Sequence, residues 1–374
     1  MSTRRLRLGM VGGGEGAFIG AVHRIAARLD DRYDLVAGAF SSNPEVATRS
    51  GDALHVAADR CYTRWEVMAE REAARDDGID MVAIVTPNHL HVPVARAFLA
   101  KGIHVICDKP LGLNLAEGHI LAEDVARSGC HFVLTHNYSA LPMVREAQRR
   151  VAAGELGEIR SIEVTYLQGW LNERAELGDN KQARWRADPL RAGAGAAGDI
   201  GTHAWQLAAF VTGMSPEAVR GELLTRVAGR QLDDEVFAEM RYASGARGRL
   251  WASQVATGHE NDLRLHIVGT RASLTFCQQQ PNQLTLLPHD APAFTVTRNG
   301  HGMSAAVAQQ CRTPAGHPEG YLEGFAQIYR EAADLIQGKP MPLLPGIVDG
   351  IAGMQFIARL RESSAQGGSW VTWA

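Results

Sequence analysis

Five apolar runs constrain this chain more than any other feature in it: residues 5–11, 35–40, 81–86, 103–107 and 131–135. Segments with helical spacing separate them; over 17–29, for example, Ile19, Val22, Ile25, Ala26 and Leu29 recur on one face. Strands that are apolar throughout and alternate with helices imply a parallel sheet covered on both faces. The right-handed crossover rule then makes the first part of the chain a doubly wound α/β domain of the kind that binds nucleotides. At 374 residues the chain has room for a second domain. From about residue 156 the pattern changes. Residues 159–166 alternate with period two, 235–242 and 247–255 flank a turn at Ser244-Gly245, and 263–268 and 272–277 flank Gly269-Thr270-Arg271. Adjacent hairpins of this kind, with shorter runs at 283–287 and 294–298, make an open, mostly antiparallel sheet. We therefore expect a dinucleotide-binding Rossmann domain over 1–138 and a substrate and oligomerisation α+β domain over 139–374. Amphipathic helices at 320–337 and 346–362 are placed to pack back on the first domain.

The first apolar run ends at Gly12-Gly13-Gly14 and a helix follows. Glycines there let a pyrophosphate approach the backbone, and a helix N-terminus favours its charge. Gly12, Gly14, Glu15, Gly16, Ala17 and Phe18 are the candidate cofactor contacts of this turn. In the pattern G-x-G-x-x-G the third glycine would stand at Ala17, and the next glycine is Gly20. The plainer alternative is a strand–helix turn that only needs positive φ. The acid that usually meets a ribose 2′-hydroxyl is missing after the second strand, where Ser41, Ser42 and Asn43 stand instead, with no arginine before Arg49. With no adjoining cation we expect NAD, and NADP stays open.

The stretch 86–110 reads as strand end, polar loop, helix and second strand, and delivers Asp108-Lys109-Pro110 to a strand's C-terminal end. Open α/β sheets keep their ligand crevice there, so Lys109 is the first catalytic candidate. The second candidate set is Asp199 and His203, four residues apart before an apolar helix that stops at Gly213. In an α-helix both would share one face. Asp199 alone reads equally as a helix cap, and His203 alone as a structural histidine. Together, in a chain with a dinucleotide domain, they suit alcohol oxidation: a hydride must leave carbon, a base such as His203 must take the hydroxyl proton near neutrality, a carboxylate can orient the substrate, and a lysine can stabilise the developing alkoxide.

Composition narrows the alternatives. A formal charge of −3 and the absence of any polybasic run give no footprint for nucleic acid or membrane. Arg4-Arg5 is followed by a strand pattern and glycines, not by the apolar stretch of an export signal. No run approaches the ~20 apolar residues of a membrane helix. Five scattered cysteines, without C-x-x-C or zinc-like spacing, suggest a reduced cytoplasmic protein and no metal site.

The glycine turn, Asp108-Lys109-Pro110 and Gly198-Asp199-x-x-x-His203, in that order, resemble the Gfo/Idh/MocA family of NAD(P)-dependent oxidoreductases. The resemblance covers essentially the whole chain. It implies action on CH–OH groups of sugars, sugar derivatives and cyclitols, with Lys109 at the substrate and nicotinamide, and Asp199 and His203 on the substrate side. It makes Thr86, Pro87, Asn88, His89 and His91 a nicotinamide-side loop and adds Asp108 to the cofactor set. The end of the family's G-x-G-x-x-G-x-x-H pattern matches Gly20-Ala21-Val22-His23, so the turn resembles a version with three residues inserted after Glu15. More narrowly, Asn137-Tyr138, the segment 166–171 and 317–321 resemble the branch with levoglucosan, glucoside 3- and inositol dehydrogenases. On that resemblance Tyr138, Gln168, Trp170 and His317 become substrate contacts. Core filling is the alternative for Trp170, and a turn role before Pro318 is the alternative for His317. Two other functions are compatible with the fold: an NAD-dependent glycosidase with transient C3 oxidation, and a non-catalytic NAD-binding sensor. His203 favours simple dehydrogenation over the first, and the intact trio Lys109, Asp199 and His203 argues against the second. An open sheet with a free face leads us to expect a homodimer or homotetramer.

Overall fold

The computed structural model describes residues 4–373. The chain divides into two compact units, one built from residues 1–137 and 322–352, the other from 138–321 and 353–374.

The first unit is a five-stranded parallel sheet in the order β2-β1-β3-β4-β5. Its strands are β1 (Leu6–Gly12), β2 (Tyr33–Ala39), β3 (Met81–Val85), β4 (His104–Cys107) and β5 (Phe132–Leu134). The apolar runs are buried as their composition requires: Met10, Val82, Ala83, Ile84, Val105 and Ile106 have no solvent exposure. Burying each such valine or isoleucine side chain contributes on the order of 1.5–3 kcal/mol. Helices α1 (Phe18–Leu29), α2 (Pro44–Ala53), α3 (Trp65–Ala73), α4 (His91–Leu99) and α5 (Leu115–Ser128) connect the strands. Asn43 caps α2 through its side chain, with Pro44 at the first helical position as its fixed φ favours. The helix Tyr321–Ile336 belongs to this unit from residue 322. There Tyr329 accepts a hydrogen bond from Tyr33 at its carbonyl, 2.9 Å, and Asp334 pairs with Arg32 at 2.8 Å. Register places Val11 opposite Ala39 and Ile84, Ile84 opposite Cys107, and Cys107 opposite Leu134. The C-terminal strand ends therefore line up along one edge of the sheet.

The second unit is a nine-stranded sheet in the order β13-β12-β11-β10-β6-β9-β8-β7-β14. The strands are β6 (Ile159–Leu167), β7 (Ala218–Leu224), β8 (Glu235–Arg241), β9 (Arg247–Ser253), β10 (Asp262–Gly269), β11 (Ala272–Cys277), β12 (Gln283–Pro288), β13 (Phe294–Thr297) and β14 (Val371–Thr372). Only the β6–β9 pair is parallel. The helix Thr202–Thr212 packs over β6, β9 and β10. β7 and β14 were not expected from the sequence. The segment 171–197 contains the short helices Lys181–Arg186 and Pro189–Ala192, started by the side-chain caps Asn180 and Asp188. Buried Arg230 holds this segment down by pairing with Glu176 and Asp234, each at 3.1 Å, and donating to the Glu173 carbonyl. Among the described residues no helix is long and apolar enough to cross a membrane, and no cluster of three His, Cys, Asp or Glu side chains could hold a metal ion.

Candidate active site

In the first unit the glycine turn is built by close approach. Gly12 and Gly13 take φ of 81° and 71°. A Cβ on Gly20 would lie 2.3 Å from the Gly13 Cα. Gly20, not Ala17, is therefore the glycine that lets α1 lie against the turn. Ala17 closes the turn instead, donating to the Gly14 carbonyl at 3.0 Å. Helix α1 then starts without a side-chain cap and without an acid in its first turn, so its free N–H groups suit a bound anion. A groove of about 460 Å³ opens here, lined by residues of the turn from Gly13 to Phe18 and by Arg24, Ser50 and Leu54. Two supports were not foreseen. Ser50 accepts from the Glu15 N–H at 3.0 Å, and Arg24 donates to the Gly13 carbonyl at 2.6 Å. Ser41 folds back on its own loop, accepting from the Asn43 N–H at 3.1 Å, while Ser42 is exposed. Arg49 closes on Glu15, with Nε and Nη2 at 3.1 and 3.0 Å from the same carboxylate oxygen.

The Thr86–Pro110 stretch folds as a clamp around His91. The ring is 1% exposed, and its nitrogens face the Pro110 and Thr86 carbonyls at 2.7 and 2.9 Å. Burial lowers its pKa, so near neutrality it carries one N–H and donates one of these bonds. The His91 side chain thus braces the two ends of this stretch against each other. Asp108, also expected at the cofactor, turns inward as well: its Oδ1 accepts from Thr135 Oγ1 at 2.8 Å and lies 3.9 Å from His23 Nε2. His23 Nδ1 in turn meets the Tyr329 hydroxyl at 2.9 Å. Burial pushes the Asp108 carboxyl up, but His23, Lys109 and His91 outweigh it and hold the group below the usual carboxylate range. Half-buried Lys109 follows, with a cis Lys109–Pro110 peptide. Beside it His136 is held neutral, its pKa lowered to about 3 by burial first and by the Lys109 charge second. Asn88 is buried in the turn Asn88–Leu90, next to Pro87 and His89.

In the second unit the Asp199–His203 pair is not set by an α-helix alone. Asp199 lies in a π-turn, Ala197–Gly201, that runs into the helix carrying His203. Such a turn widens the local winding and is frequent at functional sites. The Asp199 carboxylate does not cap that helix. Its Oδ2 accepts from Gln254 Nε2 at 2.8 Å and Arg186 Nε at 3.1 Å. Arg186 also lies over the Trp185 ring at 4.2 Å and near the Trp170 ring at 6.0 Å. His203 is buried, with the Tyr138 ring edge-on at 4.9 Å and Tyr166 at 6.2 Å. Tyr138 and Tyr166 share a 2.7 Å hydroxyl contact, and Asn261 joins both. Burial raises the pKa of both phenols, which stay protonated near neutrality. Gln168 donates to Asn261 at 2.7 Å and accepts from Trp170 Nε1 at 2.9 Å. Trp170 is 38% exposed and does not fill a core. One connected set thus runs Trp170, Gln168, Asn261, Tyr166, Tyr138, His203, and Arg186 links Trp170 to Asp199. Exposed His317 stands apart from the bonds of this set; its carbonyl is held by Arg298 and by Thr313 Oγ1. Four residues on, Tyr321 packs 6.5 Å from the Tyr138 ring. Arg186, Gln254 and Asn261 were missed because their partners are distant in sequence; only the arginine-rich character of 171–197 hinted at the first.

A glycine turn built for an anion, with a lysine at a neighbouring strand end and a histidine–carboxylate set on the second sheet, defines a dinucleotide-dependent oxidoreductase. The chain belongs to the GFO/IDH/MocA oxidoreductase family: residues 6–136 match its NAD-binding Rossmann fold and residues 144–275 its C-terminal domain. It is 30% identical over 304 residues to levoglucosan dehydrogenase of Pseudarthrobacter phenanthrenivorans, covering 75% of this chain and 76% of that protein. It is similar to the structure of an inositol dehydrogenase homologue complexed with NAD⁺ from Azotobacter vinelandii, with a TM-score of 0.95, 32% identity and coverage of 99% and 98% of the two chains. It is also similar to the structure of an oxidoreductase from Sinorhizobium meliloti, at 46% identity, a TM-score of 0.90 and coverage of 99% and 100%. The first unit is therefore an NAD-binding Rossmann domain.

Proposed function

We propose that this protein oxidises a ring secondary alcohol of a sugar, glycoside or cyclitol, reversibly, with NAD. The observation that carries the reading is the set around Asp199 and His203: a fixed carboxylate, a buried imidazole and a half-exposed tryptophan flanked by amide and guanidinium groups. That combination suits a polyhydroxylated ring, with an apolar face to stack and several hydroxyls to bond. NAD, when bound, supplies the hydride acceptor. Gly12, Gly14, Gly16, Ala17 and Phe18 take its pyrophosphate at the uncapped helix start, and Thr86 to His89 flank its nicotinamide. Lys109 directs its ammonium at the reacting oxygen and stabilises alkoxide character there. His203 takes the hydroxyl proton, and Tyr138 fixes the plane of its ring. Asp199, held by Arg186 and Gln254, accepts from a second hydroxyl and orients the ring. Trp170 stacks on it, while Gln168 and His317 bond further hydroxyls.

Levoglucosan dehydrogenase and the myo-inositol-complexed homologue from Azotobacter vinelandii support this substrate class. The deciding experiment incubates the purified protein with a panel of sugars, anhydrosugars, glycosides and inositols plus NAD or NADP, and follows reduced-nicotinamide absorbance. Turnover of at least one ring polyol is expected; a protein that binds NADH yet oxidises none of them would overturn the reading. We further propose a cytoplasmic enzyme, in keeping with its five free cysteines, and a homodimer or homotetramer. The oligomer is supported by exposed Phe237, stacked on Trp251, and by Phe294 on the open sheet. Light scattering at micromolar concentration tests it, and a monomer would refute it.

A further inference from the structure

We propose that Glu15 sets the nucleotide preference of this protein by holding Arg49 away from the ribose 2′ position, so that NAD is accepted and NADP refused. The inference rests on NAD binding by the first unit. Doubly wound folds place the adenosine ribose at the C-terminal end of the second strand, where an acid holds a 2′-hydroxyl or an arginine accommodates a 2′-phosphate. Here β2 runs into Phe40, Ser41 and Ser42, so neither group stands on the strand end itself. The nearest cation in sequence is Arg49, on α2, and it is engaged: two guanidinium nitrogens contact one Glu15 oxygen at 3.1 and 3.0 Å. Glu15 belongs to the glycine turn and is fixed there from both ends. Its N–H donates to buried Ser50 Oγ at 3.0 Å, and Ser50 is the residue next to Arg49. The clasp therefore joins the turn to α2 beside the groove that Glu15 and Ser50 line.

Two electrostatic effects follow, both against a 2′-phosphate. The guanidinium charge is already balanced, so a phosphate must compete with a carboxylate for it. The carboxylate also repels a dianion directly. The other charges on α2, Glu45 and Asp52, are acidic and add to that repulsion. A ribose with a free 2′-hydroxyl meets neither obstacle and can donate to Ser41 or Glu15. Both clasp residues are more than half exposed, so the arrangement is a selectivity device and contributes little to stability.

The test compares wild type with E15Q, R49Q and E15Q/R49Q, titrating each with NADH and with NADPH and reading nicotinamide fluorescence. The NADPH-to-NADH affinity ratio should rise about fivefold or more in E15Q, because the freed guanidinium gains a charge-assisted phosphate contact. That gain should vanish in E15Q/R49Q and shrink with added salt. An unchanged ratio in E15Q, or a gain that survives loss of Arg49, would overturn the clasp while leaving NADH binding intact. Failure of the wild type to bind either nucleotide would overturn the cofactor assignment itself, and the clasp with it.

Discussion

In the proposed reaction His203 is the base, and Tyr138 and Tyr166 pack edge-on against its ring at 4.9 and 6.2 Å, with a π-turn leading into its helix. A proposed base packed this way has little orientational entropy to lose on reaching the transition state. His203→Asn keeps size and polarity but cannot take the hydroxyl proton as the imidazole is proposed to, so kcat/KM should fall by about 10²–10⁴. Steady-state kinetics decide; wild-type kcat/KM in the variant would reassign the base. In the same proposal Lys109 has the complementary role, holding charge instead of moving it. Lys109→Met should lower kcat by on the order of 10²–10³ with NADH affinity, read by fluorescence, changed far less. A loss of NADH binding as large as the loss of rate would mean that Lys109 serves the cofactor alone.

At the scale of elements, the glycine turn shows how a single contact fixes a strand to a helix. The Gly13 backbone leaves no room for a side chain on Gly20, so Gly20→Val must lift α1 from the turn. We expect a stability loss of about 1–3 kcal/mol and loss of NADH affinity, measured by thermal unfolding with and without nucleotide; full retention of both would show that Gly20 is spacing and no more. This element also shows what sequence makes legible. The parallel strands were readable because buried strands must be apolar along their whole length, and Asn43-Pro44 announces the start of α2 through local chemistry. β7 was overlooked although Val219 and Gly221 alternate inward, because Arg220, Gly221 and Glu222 dilute its apolar signal. The proposed catalytic triplet Lys109, Asp199 and His203 was readable as motif positions. Its supports were not: Arg186 and Gln254 meet Asp199 from 13 and 55 residues away, and such pairings leave no periodic mark. The burial of His91 and Asp108 likewise depends on tertiary neighbours that a motif does not display.

Across the whole molecule, buried and half-buried imidazoles link folding to acidity. His91, His104 and His136 all have pKa values lowered chiefly by burial, His136 to about 3. In the unfolded chain each binds a proton below about pH 6.5. The unfolded state then holds more protons than the native one, so stability is full above that pH and is lost as pH falls from about 6.5 toward about 3. Asp108, with its lowered pKa, adds a loss of the same sign at the acid end. His136→Gln should flatten the dependence of Tm on pH between about 7 and 5; an unaltered slope would assign the sensitivity elsewhere. The division of the chain carries a separate consequence. The first unit takes in residues 322–352 as well as 1–137. From that later segment come Tyr329 against His23 and Tyr33, Asp334 against Arg32, and the Pro345 carbonyl that receives the Leu134 N–H. A gene truncated after codon 137 should therefore yield an insoluble or protease-sensitive fragment, and splicing 322–352 onto it through a flexible linker should rescue a compact, NADH-binding miniature. A single scission cannot separate cofactor binding from the rest of this polypeptide, because the unit that holds it is made of two segments with the other unit's residues between them.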